Sequence, residues 1–93
     1  MAHMKHRLHH STDRMTMHIC TIPSATVTQA LAAAGADAVI IDMEHGAIGY
    51  TEAHAMIAAT AGTHCAPLVR IAEADARLVK RVLDLGAEGI VFP

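Results

Sequence analysis

Chemically active side chains cluster at two points of the sequence, each at the end of a run of apolar residues. Asp42, Glu44 and His45 follow Ala38–Ile41 in the stretch AVIIDMEHG, and Arg70 follows the apolar residues of APLVRI. An imidazole can move protons near neutral pH, carboxylates can orient it, and a guanidinium binds carboxylates and other anions. These residue types therefore predict acid–base chemistry beside an anion-binding group.

Each of these residues also has a purely structural interpretation. Asp42 and Glu44 could cap the following loop or form an ion pair with Arg70, and His45 could be a solvated loop histidine. Arg70 is harder to explain in this way, because an arginine that ends an apolar strand needs a carboxylate partner or a bound anion. Spacing alone leaves these alternatives open.

The elements that must position these side chains alternate regularly from Met15 onward. Apolar runs that predict strands alternate with helical stripes that close at glycines, and Ser24 and Asp75 are predicted N-caps. Asp84, in the last turn of the third helix, would most simply pair with Lys80. The predicted strands are MTMHICTI, AVIID, APLVRI and GIVFP, and the predicted helices are ATVTQALAAAG, YTEAHAMIAATAG and ARLVKRVLDLG. The predicted inward-facing helix residues are Val27, Ala30, Leu31 and Ala34, then Ala53, Met56 and Ile57, then Leu78, Val79, Val82 and Leu83.

This alternation predicts an α/β fold with a parallel sheet and strands in sequential order. Neighbouring strands lie about 4.8 Å apart, and functional groups collect at the C-terminal ends of parallel strands, so His45 and Arg70 should share one edge. A (β/α)8 barrel needs about 250 residues. We therefore expect residues 15–93 to form the N-terminal half of such a barrel. Residues 1–14, with four of the eight histidines in the first ten, are interpreted as a leader or a vector-derived tail.

Composition argues against several classes of protein. The formal net charge is −2 with neutral histidines, so no basic surface favours nucleic acid as a partner. The sequence contains no run of about 20 apolar residues, so no membrane span is expected. Cys20 and Cys65 form no CxxC motif and no secretory signal is evident, which predicts reduced thiols in a cytoplasmic protein.

Three stretches in this order, IIDMEHG, APLVRI and KRVLDLGAEGIVFP, resemble the HpcH/HpaI aldolase family. The resemblance extends from about Pro23 to Pro93. It implies a (β/α)8 barrel that assembles into homo-oligomers. It also implies a class II, metal-dependent aldolase that cleaves a small 4-hydroxy-2-oxo acid to pyruvate and an aldehyde, with Mg, Mn or Co as the divalent metal. Citrate lyase β subunits are more distant relatives.

The resemblance also implies roles for individual residues. His45 matches the catalytic histidine, a general base, and Arg70 matches the catalytic arginine that stabilises the pyruvate enolate. Asp42, Glu44 and Arg70 would bind substrate, the two carboxylates ordering the histidine, the arginine or metal-bound water. Asp84 matches the aspartate that partners the histidine. The polarity of its helix places Asp84 at the far edge of the sheet, so it would meet His45 only across a subunit contact.

The metal ligands of the family, a glutamate and an aspartate from later strands, are expected beyond Pro93, with none in this chain. Such a chain would keep the base and the arginine but lack the main electrophile, so we expect it to be a poor catalyst or inactive alone. Three interpretations stay open: the N-terminal part of a pyruvate aldolase, a non-catalytic half-barrel that binds anions or completes a barrel by oligomerisation, and a citrate lyase-like enzyme acting on a CoA thioester.

Overall fold

The computed structural model describes residues 14–93 and confirms the predicted alternation of strands and helices over that range. In chain order the elements are β1 (Met17–Cys20), α1 (Ala25–Ala33), β2 (Ala38–Asp42), α2 (Tyr50–Ala58), β3 (Ala66–Arg70), α3 (Ala76–Asp84) and β4 (Gly89–Val91). The tail predicted at residues 1–14 lies outside the described residues except for Arg14, which precedes β1 and is exposed.

The four strands form one parallel sheet in the sequential order β1-β2-β3-β4, as predicted. Each strand pairs with the next one along the chain, and the register places Asp42 beside Arg70 and Arg70 beside Val91. Parallel neighbours need a crossover connection, and each crossover here carries one helix. The fold is therefore α/β, built from consecutive (β/α) units of the kind that closes into a barrel.

One face of the sheet packs against all three helices. Every helix contributes at least one buried residue to the core cluster that contains Val39, Ile41 and Val69. The predicted inward face of α2 is confirmed, because all three of its predicted residues are buried. The largest fully buried side chains of this core are Ile41, Met56, Ile71, Val39, Val69 and Val82.

The opposite face of the sheet carries apolar side chains with no helix of the described chain above them. Ile40 of β2 and Leu68 of β3 are register neighbours and half-buried, whereas Ile19 of β1, beside Ile40, is 60% exposed. Side chains alternate between the two faces of a strand, so these residues face away from the helix-covered core. In a closed barrel this face would line the interior.

The prediction of the inward face of α1 is wrong, because the buried residues lie one position later in the sequence than predicted. Three of its four predicted members are exposed, namely Val27, Ala30 and Ala34. Thr28 and Ala32 are buried instead. Thr28 can face the core because its hydroxyl donates to the Ser24 carbonyl oxygen at 3.1 Å, which satisfies the buried polar group.

The predicted inward face of α3 is correct in part. Val82 is fully buried and Leu78 and Val79 are half-buried, but Leu83 is 48% exposed. Leu83 lies with Val79 and Phe92 along an open groove on the outer flank of α3. No element within residues 14–93 covers this flank, which leaves Leu83 largely open to solvent.

The local signals at the helix ends are confirmed. The Ser24 hydroxyl oxygen accepts from the Val27 amide at 3.2 Å, and a carboxylate oxygen of Asp75 accepts from the Arg77 amide at 2.7 Å. Both cysteines are buried in the fold, and burial raises the pKa of Cys20. None of the helices in residues 14–93 has the length and apolarity that a membrane span requires.

Candidate active site

The predicted side chains meet at the C-terminal edge of β2 and β3. Asp42 and Arg70 are the last residues of these strands and are direct register partners. Glu44 and His45 lie in the turn that follows β2. These four residues, called here the strand-end cluster, therefore come from two neighbouring strand ends, as the alternation of elements predicts.

A buried ion pair between Asp42 and Arg70 is the centre of the cluster. Arg70 Nη2 lies 2.5 Å from Asp42 Oδ2, and Arg70 Nε lies 3.1 Å from Oδ1. The Asp42 side chain is 1% exposed and that of Arg70 is 26% exposed. The guanidinium, helped by the amides of His45 and Glu44, outweighs burial and lowers the pKa of Asp42 to about 2. Asp42 in turn raises the pKa of Arg70, so both groups are charged at neutral pH.

Asp42 also fixes the turn that carries His45. Its Oδ1 accepts from the amides of Glu44 and His45, both at 3.0 Å. The Gly46 amide donates to the Asp42 carbonyl oxygen at 3.2 Å. A Cβ on Gly46 would lie 2.4 Å from that oxygen and 3.0 Å from the Thr21 carbonyl oxygen, so the turn needs glycine here. The apolar pattern of the sequence does not mark Gly46, although its place four residues after a strand-end aspartate is a usable signal.

Glu44 links the histidine to the arginine. Its Oε1 lies 3.4 Å from Arg70 Nε and 3.3 Å from His45 Nε2. The His45 side chain is 68% exposed, whereas that of Glu44 is 21% exposed. Asp42 thus caps the turn and pairs with Arg70, as its structural interpretation predicts. The imidazole of His45 is accessible to a ligand beside Arg70.

Asp84 is not brought to the cluster. It is the last residue of α3 and is exposed. The connection from α3 to β4 passes the start of β3, because the Glu88 amide donates to the Pro67 carbonyl oxygen at 2.8 Å. Asp84 therefore lies towards the N-terminal edge of the sheet, away from Arg70. Its pairing with His45 remains a prediction that requires a second subunit.

The described residues do not fit a divalent-metal site by themselves. Within residues 14–93, no three His, Cys, Asp or Glu side chains are grouped so that they could hold a metal ion. In the strand-end cluster, Asp42 is already occupied by Arg70 and two backbone amides. Only Glu44 and His45 remain there, too few to define a metal-binding set.

Comparison with known proteins shows the family of the chain. Residues 16–93 match the family model described as HpcH/HpaI aldolase/citrate lyase. The chain belongs to this family. It is 40% identical over 75 residues to a hydroxypyruvate/pyruvate aldolase of Paraburkholderia phytofirmans, a match that covers 78% of this chain and 29% of that protein.

Solved structures of similar proteins share the fold of this family member. A HpcH/HpaI aldolase/citrate lyase family protein from Burkholderia cenocepacia superposes with a TM-score of 0.90 at 33% identity, covering 100% of this chain and 37% of that chain. The citrate synthase SbnG gives a TM-score of 0.86 at 37% identity, covering 96% of this chain and 36% of that chain. The chain therefore spans well under half the length of the proteins it matches.

Proposed function

We propose that this chain is the N-terminal part of a class II aldolase that cleaves a 4-hydroxy-2-oxo acid to pyruvate and an aldehyde. The observation that carries the proposal is the strand-end cluster, in which a buried carboxylate fixes Arg70 beside the accessible imidazole of His45. Relatives named as pyruvate aldolases support it. The activity would belong to a protein of barrel length, and we expect residues 1–93 alone to be inactive or nearly so.

Arg70 is proposed to stabilise the oxyanion of the pyruvate enolate. Its Nε and Nη2 are committed to the two oxygens of Asp42. Since one side of the guanidinium fork is occupied, Nη1 is left to face a ligand, and it suits a single oxygen better than a clamped carboxylate. The charge that develops on the C2 oxygen during cleavage is such a single oxygen.

His45 is proposed to act as the general base. It would take the proton from the C4 hydroxyl, the C3–C4 bond would break, and the electron pair would move to the C2 oxygen as the enolate. The same imidazolium could return the proton to C3 to give pyruvate. Glu44 Oε1 lies 3.3 Å from His45 Nε2 and would hold the orientation of the imidazole through the two steps.

The proposed metal cofactor and the proposed subunit assembly both require groups outside residues 14–93 of one chain. The divalent ion that the resemblance implies, Mg²⁺, Mn²⁺ or Co²⁺, would have to be held by groups other than those of residues 14–93. Homo-oligomerisation would be needed to bring Asp84 of one subunit to His45 of another. We also propose a cytoplasmic location, which the two cysteines predict.

A second candidate reaction is carbon–carbon bond chemistry on a citrate-type substrate or a CoA thioester. Its support is the structural similarity to the citrate synthase SbnG. A non-catalytic half-barrel that binds anions is the third candidate.

A substrate panel separates these candidates. A barrel-length protein carrying this chain would be given a 4-hydroxy-2-oxo acid, or citrate with and without CoA, with each of the three metals. We expect pyruvate, detected through NADH oxidation by lactate dehydrogenase, from the 4-hydroxy-2-oxo acid. Turnover of the citrate-type substrates alone would favour the second candidate, and no turnover of any substrate would favour the third.

A further inference from the structure

The carboxylate of Asp42 is held by protein donors and shielded from solvent. Oδ1 accepts from the amides of Glu44 and His45 and from Arg70 Nε, and Oδ2 accepts from Arg70 Nη2. Each oxygen of an ionised carboxylate offers about two acceptor sites, so Oδ1 is saturated and Oδ2 keeps one site beside Arg70. The side chain is also 1% exposed, so neither a substrate hydroxyl nor a water has room to reach it.

We infer that Asp42 is a positioning residue rather than a substrate-binding one, and that it locks Arg70 and the turn carrying His45 into a single unit. This inference rests on the proposed function for the roles of Arg70 and His45. It replaces the expectation that Asp42 contacts substrate. The geometric basis is that one carboxylate joins groups from two strands, the guanidinium at the end of β3 and the turn after β2.

The backbone reinforces the same connection. The Met43 amide donates to the Arg70 carbonyl oxygen at 2.9 Å, which extends the strand pairing one residue past Asp42. The turn then closes through Gly46, whose amide donates to the Asp42 carbonyl oxygen. The separation between the guanidinium and the imidazole is therefore set by contacts of Asp42, and Glu44 spans the gap between them.

Only Oδ1 of Asp42 holds the turn, whereas both oxygens hold Arg70, and this difference allows the two tasks to be tested separately. Asp42→Asn can keep Oδ1, with its two amide donors, but it replaces Oδ2 with an amide nitrogen that cannot accept from Arg70 Nη2. Asp42→Ala removes both tasks. Arg70→Met removes the guanidinium and leaves the turn with its acceptor. Asp75→Asn is the matched control, because Asp75 also contacts an arginine, Arg77, but lies at the start of α3.

Hydrogen exchange measured by ¹⁵N NMR on the 93-residue chain reports both on the contact of Asp42 with Arg70 and on its contact with the turn. In Asp42→Asn we expect the Arg70 Nη2–H protons, which lose their acceptor Oδ2, to exchange about tenfold faster or more, with the Glu44 and His45 amides changed by less than about threefold. Arg70→Met should leave those amides protected, and Asp75→Asn should leave all three signals unchanged. Unaltered exchange of the Arg70 Nη2–H protons in Asp42→Asn, or amides that lose protection in Arg70→Met, would overturn the inference even if Asp42→Ala fails to fold.

A double-mutant cycle in a barrel-length protein distinguishes positioning from direct substrate contact. If Asp42 acts through Arg70, Asp42→Asn should lower kcat/KM in the native background but change it by less than about threefold when Arg70 is already methionine. An equal loss in both backgrounds would mean that Asp42 contacts substrate. The exchange measurements do not depend on turnover, so a protein with no aldolase activity would refute the proposed function and leave this inference standing.

Discussion

Replacing Asp42 with asparagine should remove a defined part of the acid sensitivity of this fold. Asp42 is ionised and paired in the folded chain, and its pKa is lowered from 3.8 to about 2. A group whose pKa is lowered on folding stabilises the fold above its unfolded pKa, and this contribution disappears as the pH falls through the folded value. The window is therefore from about pH 4 down to about pH 2.

The size of this contribution follows from the shift. A shift of roughly two pKa units, at 1.36 kcal/mol per unit, corresponds to about 2 kcal/mol at neutral pH. Breaking a fully buried ion pair typically costs about 3–5 kcal/mol. We expect the smaller figure because the Arg70 side chain is 26% exposed and can recover hydration when its partner is lost. Asp42→Asn should therefore be less stable than the native chain by about 2 kcal/mol at pH 7.

Urea unfolding followed by circular dichroism, at one fixed protein concentration, measures this effect. Other carboxylates also titrate below pH 5, so the quantity to follow is the difference in unfolding free energy between the native chain and Asp42→Asn. That difference should shrink towards zero between about pH 4 and pH 2. Asp75→Asn serves as the control at an exposed ion pair. A native–variant difference that stays constant over this pH range would refute the assignment of the lowered pKa to Asp42.

Three further predictions follow from the same contacts. Gly46→Ala should destabilise the fold by about 1–3 kcal/mol in urea unfolding, because its Cβ would meet the Asp42 carbonyl oxygen at 2.4 Å. Gly49→Ala should lower the free energy of unfolding by less, because its Cβ would meet a movable glutamate side chain, and an equal loss in the two variants would contradict this explanation. His45→Gln should lower pyruvate-forming turnover of a barrel-length protein by about 10²–10⁴, and unchanged turnover would exclude His45 as the base. The 93-residue chain should sediment as more than a monomer at micromolar concentration, because Ile19, Ile22 and Phe92 are 57–62% exposed and no other strand of residues 14–93 pairs with the outer edges of β1 and β4. A sharp monomer with protected edge-strand amides would contradict this.

Much of the fold could be predicted because the sequence repeats one strong pattern. Short apolar runs such as Ala38–Ile41 and helical stripes such as that of α2 leave little choice of element, and sequential parallel pairing follows from their alternation. The face of α1 could not be predicted from apolarity. Thr28 is buried only because a hydrogen bond to its own helix satisfies it, and hydrophobic spacing does not report such a bond.

The residues of the candidate site could be predicted from the sequence, but the separate role of each residue could not. Strand polarity alone places Asp42 and Arg70 at one edge of the sheet. The saturation of Asp42 Oδ1 depends on the path of the turn, and that path depends on the close approach of Gly46 to the Asp42 backbone. The location of Asp84 followed from helix polarity, whereas its partner depends on an assembly that one chain does not specify.

The most direct test of the central claim is the rate of pyruvate release from a 4-hydroxy-2-oxo acid by a barrel-length protein, with Arg70→Ala compared with Arg77→Ala. The Arg77 side chain is 93% exposed and its Nη2 lies 3.5 Å from Asp75 Oδ2, so its removal is a control for charge. We expect Arg77→Ala to release pyruvate at the native rate and Arg70→Ala to be slower by about 10²–10³, the usual cost of losing one oxyanion donor. Equal rates in the two variants would contradict the assignment of the strand-end cluster as an aldolase site.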